Sequence, residues 1–330
     1  MAALDVEKKS FTFTWRIKNY SFCWKRIGEC IVSPTFQVLR EDTSSWKLKL
    51  YPIPKSNFIG CVLLRWGKNS SCYSVGYELS FLSSDHSTLN SFEVSEDAFE
   101  GCFRSAPLLV NRDAVLGKER AAFFPRDSFT IQCKIWPLGD SILDKEQCFA
   151  ESEIEIQRYS STWTIERFSN LKSGEKLSQT FNSASIKKSP FAFNLCRREV
   201  IILLEMNPVD AVPVKSCKCQ VFLLDFARKR VKCGTYAFQL HSKEIEKPFV
   251  FMLNLTRRDL LENKHRYLPN DVLTLQYEIE FSTGREIVKI LEPDSPSAST
   301  DMTQILEHDS PSASTDMTQI LELDSPRLTA

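Results

Sequence analysis

The chain has 330 residues, of which 42% are hydrophobic and 25% charged, and its 42 lysines and arginines balance its 42 aspartates and glutamates. Such a length exceeds one ordinary core and suits two domains with chain left over, while the hydrophobic share excludes disorder of the whole chain. Zero net charge excludes a global attraction to nucleic acid or to an anionic membrane, so we expect neither as a partner.

The first residues carry charges, among them Asp5, Glu7, Lys8 and Lys9, where a secretory signal needs an apolar core. No run of about eighteen apolar residues follows, so no membrane-spanning helix is predicted. We therefore expect a cytoplasmic or nuclear protein. Its 11 cysteines are odd in number and irregularly spaced, which in an intracellular chain predicts reduced, mostly buried thiols rather than a disulfide framework.

An internal repeat begins at the first predicted strand. Residues 11–17, Phe-Thr-Phe-Thr-Trp-Arg-Ile, place apolar side chains at alternate positions, the period of a half-buried strand. The octet Thr-Trp-Arg-Ile-Lys-Asn-Tyr-Ser at 14–21 returns as Thr-Trp-Thr-Ile-Glu-Arg-Phe-Ser at 162–169, an offset of 163 − 15 = 148. A second copy of the same unit is therefore predicted to start near residue 154.

Two later landmarks recur in the same order with nearly the same offset. Arg-Asp at 112–113 matches Arg-Asp at 258–259 (258 − 112 = 146), and Pro-Arg-Asp at 125–127 matches Pro-Asn-Asp at 269–271 (269 − 125 = 144). Each proline motif leads into strict apolar alternation, over 129–135 in the first copy and 273–281 in the second. Both units are thus predicted to close with the same kind of strand.

Short strand-like runs separated by polar turns fill the space between these ends. They lie at 46–50, 61–66, 77–82, 200–204, 221–226 and 249–255. Helical periodicity is scarce, with one predicted turn per unit near 112–116 and 258–262. The pattern predicts an all-β fold of two tandem antiparallel β-sandwiches.

Domain boundaries follow from the repeat and from composition. We expect an N-terminal extension at 1–9, a first domain at 10–136, a linker at 137–153, a second domain at 154–283 and a tail at 284–330. In the tail, Ile-Leu-Glu-x-Asp-Ser-Pro returns with a period of 305 − 290 = 15 residues. Its serine, threonine, proline and acidic residues cannot bury enough apolar surface to fold alone, which predicts a disordered tail.

A family resemblance is carried by the first copy. Trp-Arg-Ile-Lys-Asn-Tyr-Ser-Phe-Cys at 15–23, Gly-Glu at 28–29, Ser-Pro-Thr-Phe at 33–36 and Trp-Lys-Leu-Lys-Leu-Tyr-Pro at 46–52 resemble the opening of a MATH (meprin and TRAF homology) domain. The speckle-type POZ protein group is the most similar branch. In the second copy, Thr-Arg-Arg-Asp-Leu-Leu at 256–261 and Leu-Pro-Asn-Asp-Val-Leu-Thr-Leu at 268–275 resemble the family's closing motif.

This resemblance implies eight-stranded sandwiches whose concave face accepts a short extended peptide. In the best-matched relatives the peptide belongs to a substrate of a cullin-based ubiquitin ligase, and a POZ (BTB) domain after the MATH domain contacts the cullin. Here a second MATH-like unit and the repeat tail follow instead. The implied function is recognition of peptide segments of other proteins, including serine- and threonine-rich ones, while the link to a cullin is in doubt.

The resemblance places Phe58, Val62 and Tyr77 at groove-lining positions, and Phe103 with Arg104 on the later groove-edge segment. Val62 stands where close relatives have tyrosine, and Gly-Cys-Phe at 101–103 stands where they have a tryptophan two residues before the phenylalanine, which predicts altered specificity. The alternative is that the aromatic residues belong to the core. In the second copy Cys219 replaces the counterpart of Tyr77, and Phe-Val-Phe at 249–251 occupies the later segment, so that copy is predicted to be chiefly structural.

Catalysis is not predicted. The histidines His86, His241, His265 and His308 have no spacing to cysteines or carboxylates that defines a ligand set or catalytic pair, and phosphate-loop and nucleophile-elbow motifs are absent. We expect no cofactor and no metal. The basic run at 228–232 is interpreted as a solvated hairpin. Two alternatives stay open: a scaffold with inert grooves, and a groove occupied by the chain's own tail.

Overall fold

The computed structural model describes residues 9–23, 25–40, 45–52, 57–66, 72–100, 103–138, 143, 146–180, 191–208, 214–239, 248–291 and 304–306. By its internal contacts the chain divides into two units. Unit 1 comprises Met1–Ile154 and Arg285–Ala330, and unit 2 comprises Glu155–Gly284. Among the described residues, no helix is both long and apolar enough to cross a membrane.

Strands make up most of the described chain. They are β1 (Phe11–Lys18), β2 (Ile31–Val32), β3 (Ser45–Tyr51), β4 (Phe58–Trp66), β5 (Cys72–Leu82), β6 (Thr88–Glu100), β7 (Phe103–Arg104), β8 (Leu108–Asn111), β9 (Ser128–Pro137), β10 (Gln147–Ile154), β11 (Gln157–Ile165), β12 (Lys176–Thr180), β13 (Phe191–Arg198), β14 (Ile201–Pro208), β15 (Ser216–Leu224), β16 (Arg230–Gln239), β17 (Phe249–Met252), β18 (Leu273–Ser282), β19 (Glu286–Leu291) and β20 (Gln304–Leu306). The all-β class predicted from the sequence is therefore confirmed.

The helices are short. They are α1 (Arg112–Leu116), α2 (Arg120–Phe123), α3 (Arg257–Glu262) and α4 (Lys264–Tyr267). Thr256 starts α3 with a capping box, in which its hydroxyl accepts from the Asp259 N–H while the Asp259 carboxylate accepts from the Thr256 N–H. Helices α1 and α3 lie where the sequence predicts one helical turn per unit.

Unit 1 contains two sheets. One has the strand order β20-β19-β10-β1-β9-β5-β6, and the other has the order β2-β3-β4-β7 with β8 also paired to β4. Alternate residues of β1 point inward, and Phe13 stacks on Phe36 beside the second sheet with ring centroids 4.0 Å apart. Trp15 and Trp46, one from each sheet, are fully buried. Each such side chain contributes about 1.5–3 kcal/mol through removal from water.

Unit 2 also contains two sheets, in the orders β11-β18-β15-β16 and β12-β13-β14-β17. Phe193 of one sheet contacts Tyr277 of the other with ring centroids 4.8 Å apart, and both side chains are fully buried in one continuous core. In unit 2, as in unit 1, aromatic side chains from two sheets therefore share a buried core.

Residues of the expected linker and tail form strands in unit 1. Strand β10, inside the stretch 137–154, pairs parallel with β1 and antiparallel with β19, and β19 pairs antiparallel with β20. The boundaries drawn at 137–153 and at 284 therefore miss part of this sheet. The buried side chains of β10 include the small or polar residues Cys148, Ala150 and Ser152, which do not stand out from a polar linker by hydrophobicity. Residues 292–303 and 307–330 of the predicted tail lie outside the described residues.

No disulfide joins the nine cysteines whose side chains the structure describes, and all of them except Cys30 are buried. Burial raises the pKa of the Cys219 thiol to about 12 and moves that of Cys133 well above its ordinary value. A thiol with a raised pKa is a poor nucleophile at neutral pH. These cysteines therefore behave as small apolar core residues.

Candidate functional site

Strand β4 carries two of the predicted site residues on one face. Its inward residues Cys61 and Leu63 are fully buried, so the alternation of the strand turns Phe58, Val62 and Trp66 to the opposite face. Phe58 is 40% exposed and Trp66 is 58% exposed, whereas Val62 between them is 1% exposed. This outward face of β4 is thus a strip with an exposed aromatic residue near each end and a short, buried side chain at its middle.

Strand β8 adds an apolar side chain to the same face. Leu109 pairs with Gly60 and is 40% exposed. A Cβ placed on Gly60 would lie 3.1 Å from the Leu109 side chain, so the missing Cβ lets Leu109 lie close over β4. Sequence reasoning missed Trp66, Leu109 and Gly60 as site residues. The alternation of residues 58–66 could have indicated Trp66 and Gly60, because both lie on the same face of the strand as Phe58.

The predicted groove-edge residues form the two-residue strand β7. Arg104 pairs with Leu64 and Phe103 with Arg65 on β4, and β7 is the last strand in the order of its sheet. The side chains of both residues lie outside the described part of the chain. Ser105 holds the segment in place, because its N–H donates to the Leu63 carbonyl and its hydroxyl accepts from the Leu63 N–H, both at 2.8 Å.

Tyr77 lies beneath this edge rather than on it. It belongs to β5 in the other sheet of unit 1 and is fully buried, in line with the alternative that it is a core residue. Burial raises the pKa of its phenol to about 12, and the nearby Ser105 side chain and Ala106 backbone act in the opposite direction. Tyr77 therefore supports the segment that follows β7 and does not line an exposed surface.

Unit 2 has a comparable edge with different chemistry. Strand β17 ends its sheet, and its outward residues Val250 and Met252 are 53% and 52% exposed. Val250 pairs with Glu205, whose carboxylate accepts from the Lys176 ammonium at 2.9 Å and from the Asn194 amide at 3.4 Å. The polar groups on this face thus satisfy one another. Cys219, the counterpart of Tyr77, is fully buried.

The described residues contain no group of three or more histidine, cysteine or acidic side chains placed to hold a metal ion. A comparison with models of known protein families finds no match for this chain. The candidate site is therefore defined by its own geometry: a terminal two-residue strand beside a partly exposed apolar strip, supported from below by Tyr77 and Ser105.

Proposed function

We propose that the chain is a non-enzymatic protein-interaction module in which unit 1 binds a short extended segment of another protein. The observation that supports this best is the position of β7, which ends its sheet directly beside the outward face of β4. The peptide pairs its backbone with this edge next to Leu109 of β8, and its long side chains extend over the outward face toward Phe58 and Trp66, one strand further in on β4. Neither a cofactor nor a metal takes part.

The physical basis is strand addition. A terminal strand presents backbone N–H and C=O groups that an extended peptide can pair with, and neighbouring side chains then select the residues of the peptide. Aromatic side chains suit this selection because they supply a large contact area at a low cost in conformational entropy. Exposed Phe58 and Trp66 stand eight positions apart on β4, about 26 Å at roughly 3.3 Å per residue, so a peptide of about eight residues spans the strip.

The same site is the one implied by the resemblance to MATH domains. We propose that both units are MATH-like sandwiches, since each has two facing sheets with comparable closing motifs, and that unit 1 acts as a substrate-recognition element in ubiquitin-dependent protein degradation. Coupling to a cullin is left out, because the relatives make that contact through a POZ domain and not through their MATH domain.

A second candidate function is an inert structural scaffold. Its supporting observation is the burial of two predicted groove residues, since Val62 is 1% exposed and Tyr77 is 0% exposed. In that case the outward face of β4 would bind no peptide and both units would serve only as a frame.

A peptide library selected against the full chain separates the two functions. For selected peptides we expect the double variant Phe58→Ala/Leu109→Ala to weaken binding by at least about tenfold, the scale of an interface hot spot. The matched control Val250→Ala/Met252→Ala removes exposed apolar side chains from unit 2 and should leave the affinity within about twofold. Failure to select any peptide, or equal affinity in the two variants, would contradict the proposed function.

A further inference from the structure

We propose that the end of the hairpin formed by β15 and β16 docks unit 2 on an anionic membrane surface. This surface, residues 225–232, is called the basic tip. Its aromatic side chain, Phe226, enters the headgroup layer, and its lysines and arginines contact anionic lipids. The inference goes beyond the proposed function, because it concerns unit 2 and does not involve the peptide site.

The zero net charge of the whole chain is the sum of two unequal parts. Residues 155–284, which form unit 2, contain 20 lysines and arginines and 14 aspartates and glutamates, a net charge of 20 − 14 = +6. The remainder of the chain therefore carries 0 − 6 = −6. The sequence-based expectation that a membrane is no partner relied on the total charge, so it does not apply to unit 2 by itself.

The basic tip carries cations without acidic partners. Arg228, Lys229 and Lys232 are exposed, and no ion pair joins any of them to an acidic side chain in the part of the chain that the structure describes. Arg230 differs from them, because its guanidinium pairs with the Glu278 carboxylate at 2.6 Å. Three positive charges at the end of one hairpin are thus available to an anionic surface.

The same turn exposes an aromatic ring. Phe226 is 66% exposed, more than any other large hydrophobic side chain that the structure describes. Its N–H donates to the Arg266 carbonyl at 2.9 Å. The neighbouring Asp225 is buried, where its carboxylate accepts from the Lys229 N–H at 2.8 Å and pairs with the Arg266 guanidinium at 3.5 Å. These contacts fix the backbone around Phe226 while its ring stays in solvent.

Unit 1 forms the same backbone turn between β5 and β6. In each turn the first N–H donates to the carbonyl of the fifth residue, from Ser83 to Ser87 at 2.9 Å in unit 1 and from Asp225 to Lys229 at 3.0 Å in unit 2. The fourth residue of each turn is left-handed, with a φ of 66° in unit 1 and 57° in unit 2. The two turns therefore correspond residue by residue.

The side chains of the two turns differ in chemistry. Ser84 corresponds to Phe226, His86 to Arg228, and Ser87 to Lys229. The unit 1 turn, Ser-Ser-Asp-His-Ser at 83–87, contains no lysine, arginine or apolar residue. The backbone conformation thus requires neither an aromatic ring nor a cation, so folding of the turn does not explain why unit 2 has both.

A bilayer surface fits this chemistry better than a nucleic acid does. Residues 226–230 are all exposed, so the hairpin ends in a convex turn and not in a channel along which a nucleic acid strand could lie. Aromatic side chains lie at the headgroup level of a bilayer, and lysines and arginines are attracted to its anionic lipids. The basic tip supplies both interactions at one point.

The expected binding is weak and reversible. Each cation near an anionic surface strengthens binding about fivefold, so three cations contribute on the order of a hundredfold. A single aromatic side chain is a smaller apolar anchor than one acyl chain, whose attachment to a membrane is itself reversible. The basic tip therefore holds the chain at a membrane only transiently.

Co-sedimentation of the full chain with vesicles tests the proposal. Vesicles of phosphatidylcholine are compared with vesicles that also contain about 30% phosphatidylserine. We expect the anionic vesicles to bind the chain at least about tenfold more tightly. Their binding should also weaken when salt is raised from about 0.1 M to about 0.5 M. Equal binding to both kinds of vesicle, or binding to neither, would overturn the proposal.

The turn of unit 1 supplies substitutions that this backbone conformation accepts. Phe226→Ser copies Ser84 and should weaken binding to the anionic vesicles at least about fivefold. Arg228→His/Lys229→Ser copies the other two positions and removes two charges at about pH 7.5, so it should weaken binding at least about tenfold. Unchanged binding of either folded variant would contradict the assignment of the surface.

Matched controls remove the same chemistry elsewhere on unit 2. Lys172→Ser/Arg198→Ser removes two exposed charges, and Val250→Ala/Met252→Ala removes two exposed apolar side chains. Both controls should leave binding within about twofold, because charges more than about 10 Å from a surface are largely screened by salt. A loss in the charge control as large as that in the tip variant would indicate attraction by total charge and would overturn the proposal.

A gain of signal tests insertion directly. Phe226→Trp keeps an aromatic ring and should bind more tightly than Phe226→Ser. Brominated phosphatidylcholine in the anionic vesicles should quench its added indole, a loss of fluorescence that the parent chain does not show. Absence of this quenching would place residue 226 outside the bilayer. Tighter binding of single-stranded DNA or of poly-glutamate than of anionic vesicles, lost in the same tip variants, would assign the basic tip to a nucleic acid or to an acidic protein instead.

Discussion

Asp127 accepts two hydrogen bonds from Ser21, one from its backbone N–H at 2.9 Å and one from its hydroxyl at 2.7 Å. Asp271 accepts the same pair from Ser169 in unit 2, where the backbone N–H lies at 3.2 Å. In each unit the bonds tie the turn after the first strand to the turn before the last long strand. The sequence repeat is clearest at these residues because each unit uses them to join its two ends.

Acid should weaken the hydrogen bonds between Ser169 and Asp271 in unit 2. The hydroxyl of Ser169 is the main cause that lowers the pKa of Asp271, with further contributions from the Ser169 N–H and from Lys264. A carboxyl whose folded pKa lies below its unfolded value adds stability above the unfolded pKa and loses it as pH falls through the folded pKa. We therefore expect Ser169→Ala to raise the pKa of Asp271 and to reduce the loss of unit 2 stability between about pH 5 and pH 2.

Carboxyl chemical shifts followed by NMR titration measure the pKa of Asp271, and denaturation at several pH values measures the stability. Ser160→Ala is the matched control, since Ser160 is an exposed residue of β11. An Asp271 titration that is unchanged by Ser169→Ala would contradict the assignment of the hydroxyl as the main cause.

The buried indole of Trp15 depends on a residue of β10. Its Nε1–H donates to the Ser152 hydroxyl at 3.0 Å, and both residues are almost completely buried. Ser152→Ala leaves this donor without its acceptor, and an unsatisfied buried donor costs about 1–3 kcal/mol. We expect the free energy of unfolding of unit 1 to fall by that amount in chemical denaturation. The control Ser160→Ala should leave the free energy of unfolding within about 0.5 kcal/mol of that of the parent. A Ser152→Ala protein as stable as the parent would show that the bond contributes nothing net.

Strand β19 should be required to protect the backbone amides of β10 from hydrogen exchange. Truncation after Gly284 removes the antiparallel partner of β10 and also removes Glu286, which pairs with Lys25 at 2.8 Å. Burial alone would lower the pKa of Lys25, but Glu286 raises it above its ordinary value overall. We expect backbone amides of β10 to exchange at least about tenfold faster in this truncation, while truncation after Leu306 leaves them unchanged. Equal exchange in both would mean that β19 does not cover β10.

The all-β fold class could be predicted because it rests on local patterns. Alternation at 11–17 and at 273–281 reports half-buried strands directly, and the repeated Ser and Asp residues mark the ends of each unit. Strands β10, β19 and β20 could not be predicted. The composition of β10 does not mark it as a strand, and its place in the sheet follows from its pairing with β1 and β19. Ala150 and Ser152 lie on the buried face of β10.

The candidate site could be predicted in part. Phe58 and Val62 do share the outward face of β4, and the segment at 103–104 does lie at a sheet edge beside it. The burial of Tyr77 could not be read from the sequence, because an aromatic residue on an alternating strand fits the core and a groove equally well.

Tyr77 should prove to be a supporting residue rather than a contact residue. Because it is fully buried, Tyr77→Ala removes a large core side chain, and we expect a loss of about 3–5 kcal/mol in the free energy of unfolding of unit 1. Tyr77→Phe keeps the ring and removes only the buried hydroxyl, so the loss should be much smaller, at most about 1.5 kcal/mol. Phe58→Ala, at a residue 40% exposed, should lower the free energy of unfolding less than Tyr77→Ala does.

Peptide affinity distinguishes the two roles. Among folded proteins, Phe58→Ala should weaken binding and Tyr77→Phe should leave it nearly unchanged. The opposite order would place Tyr77 in contact with the peptide.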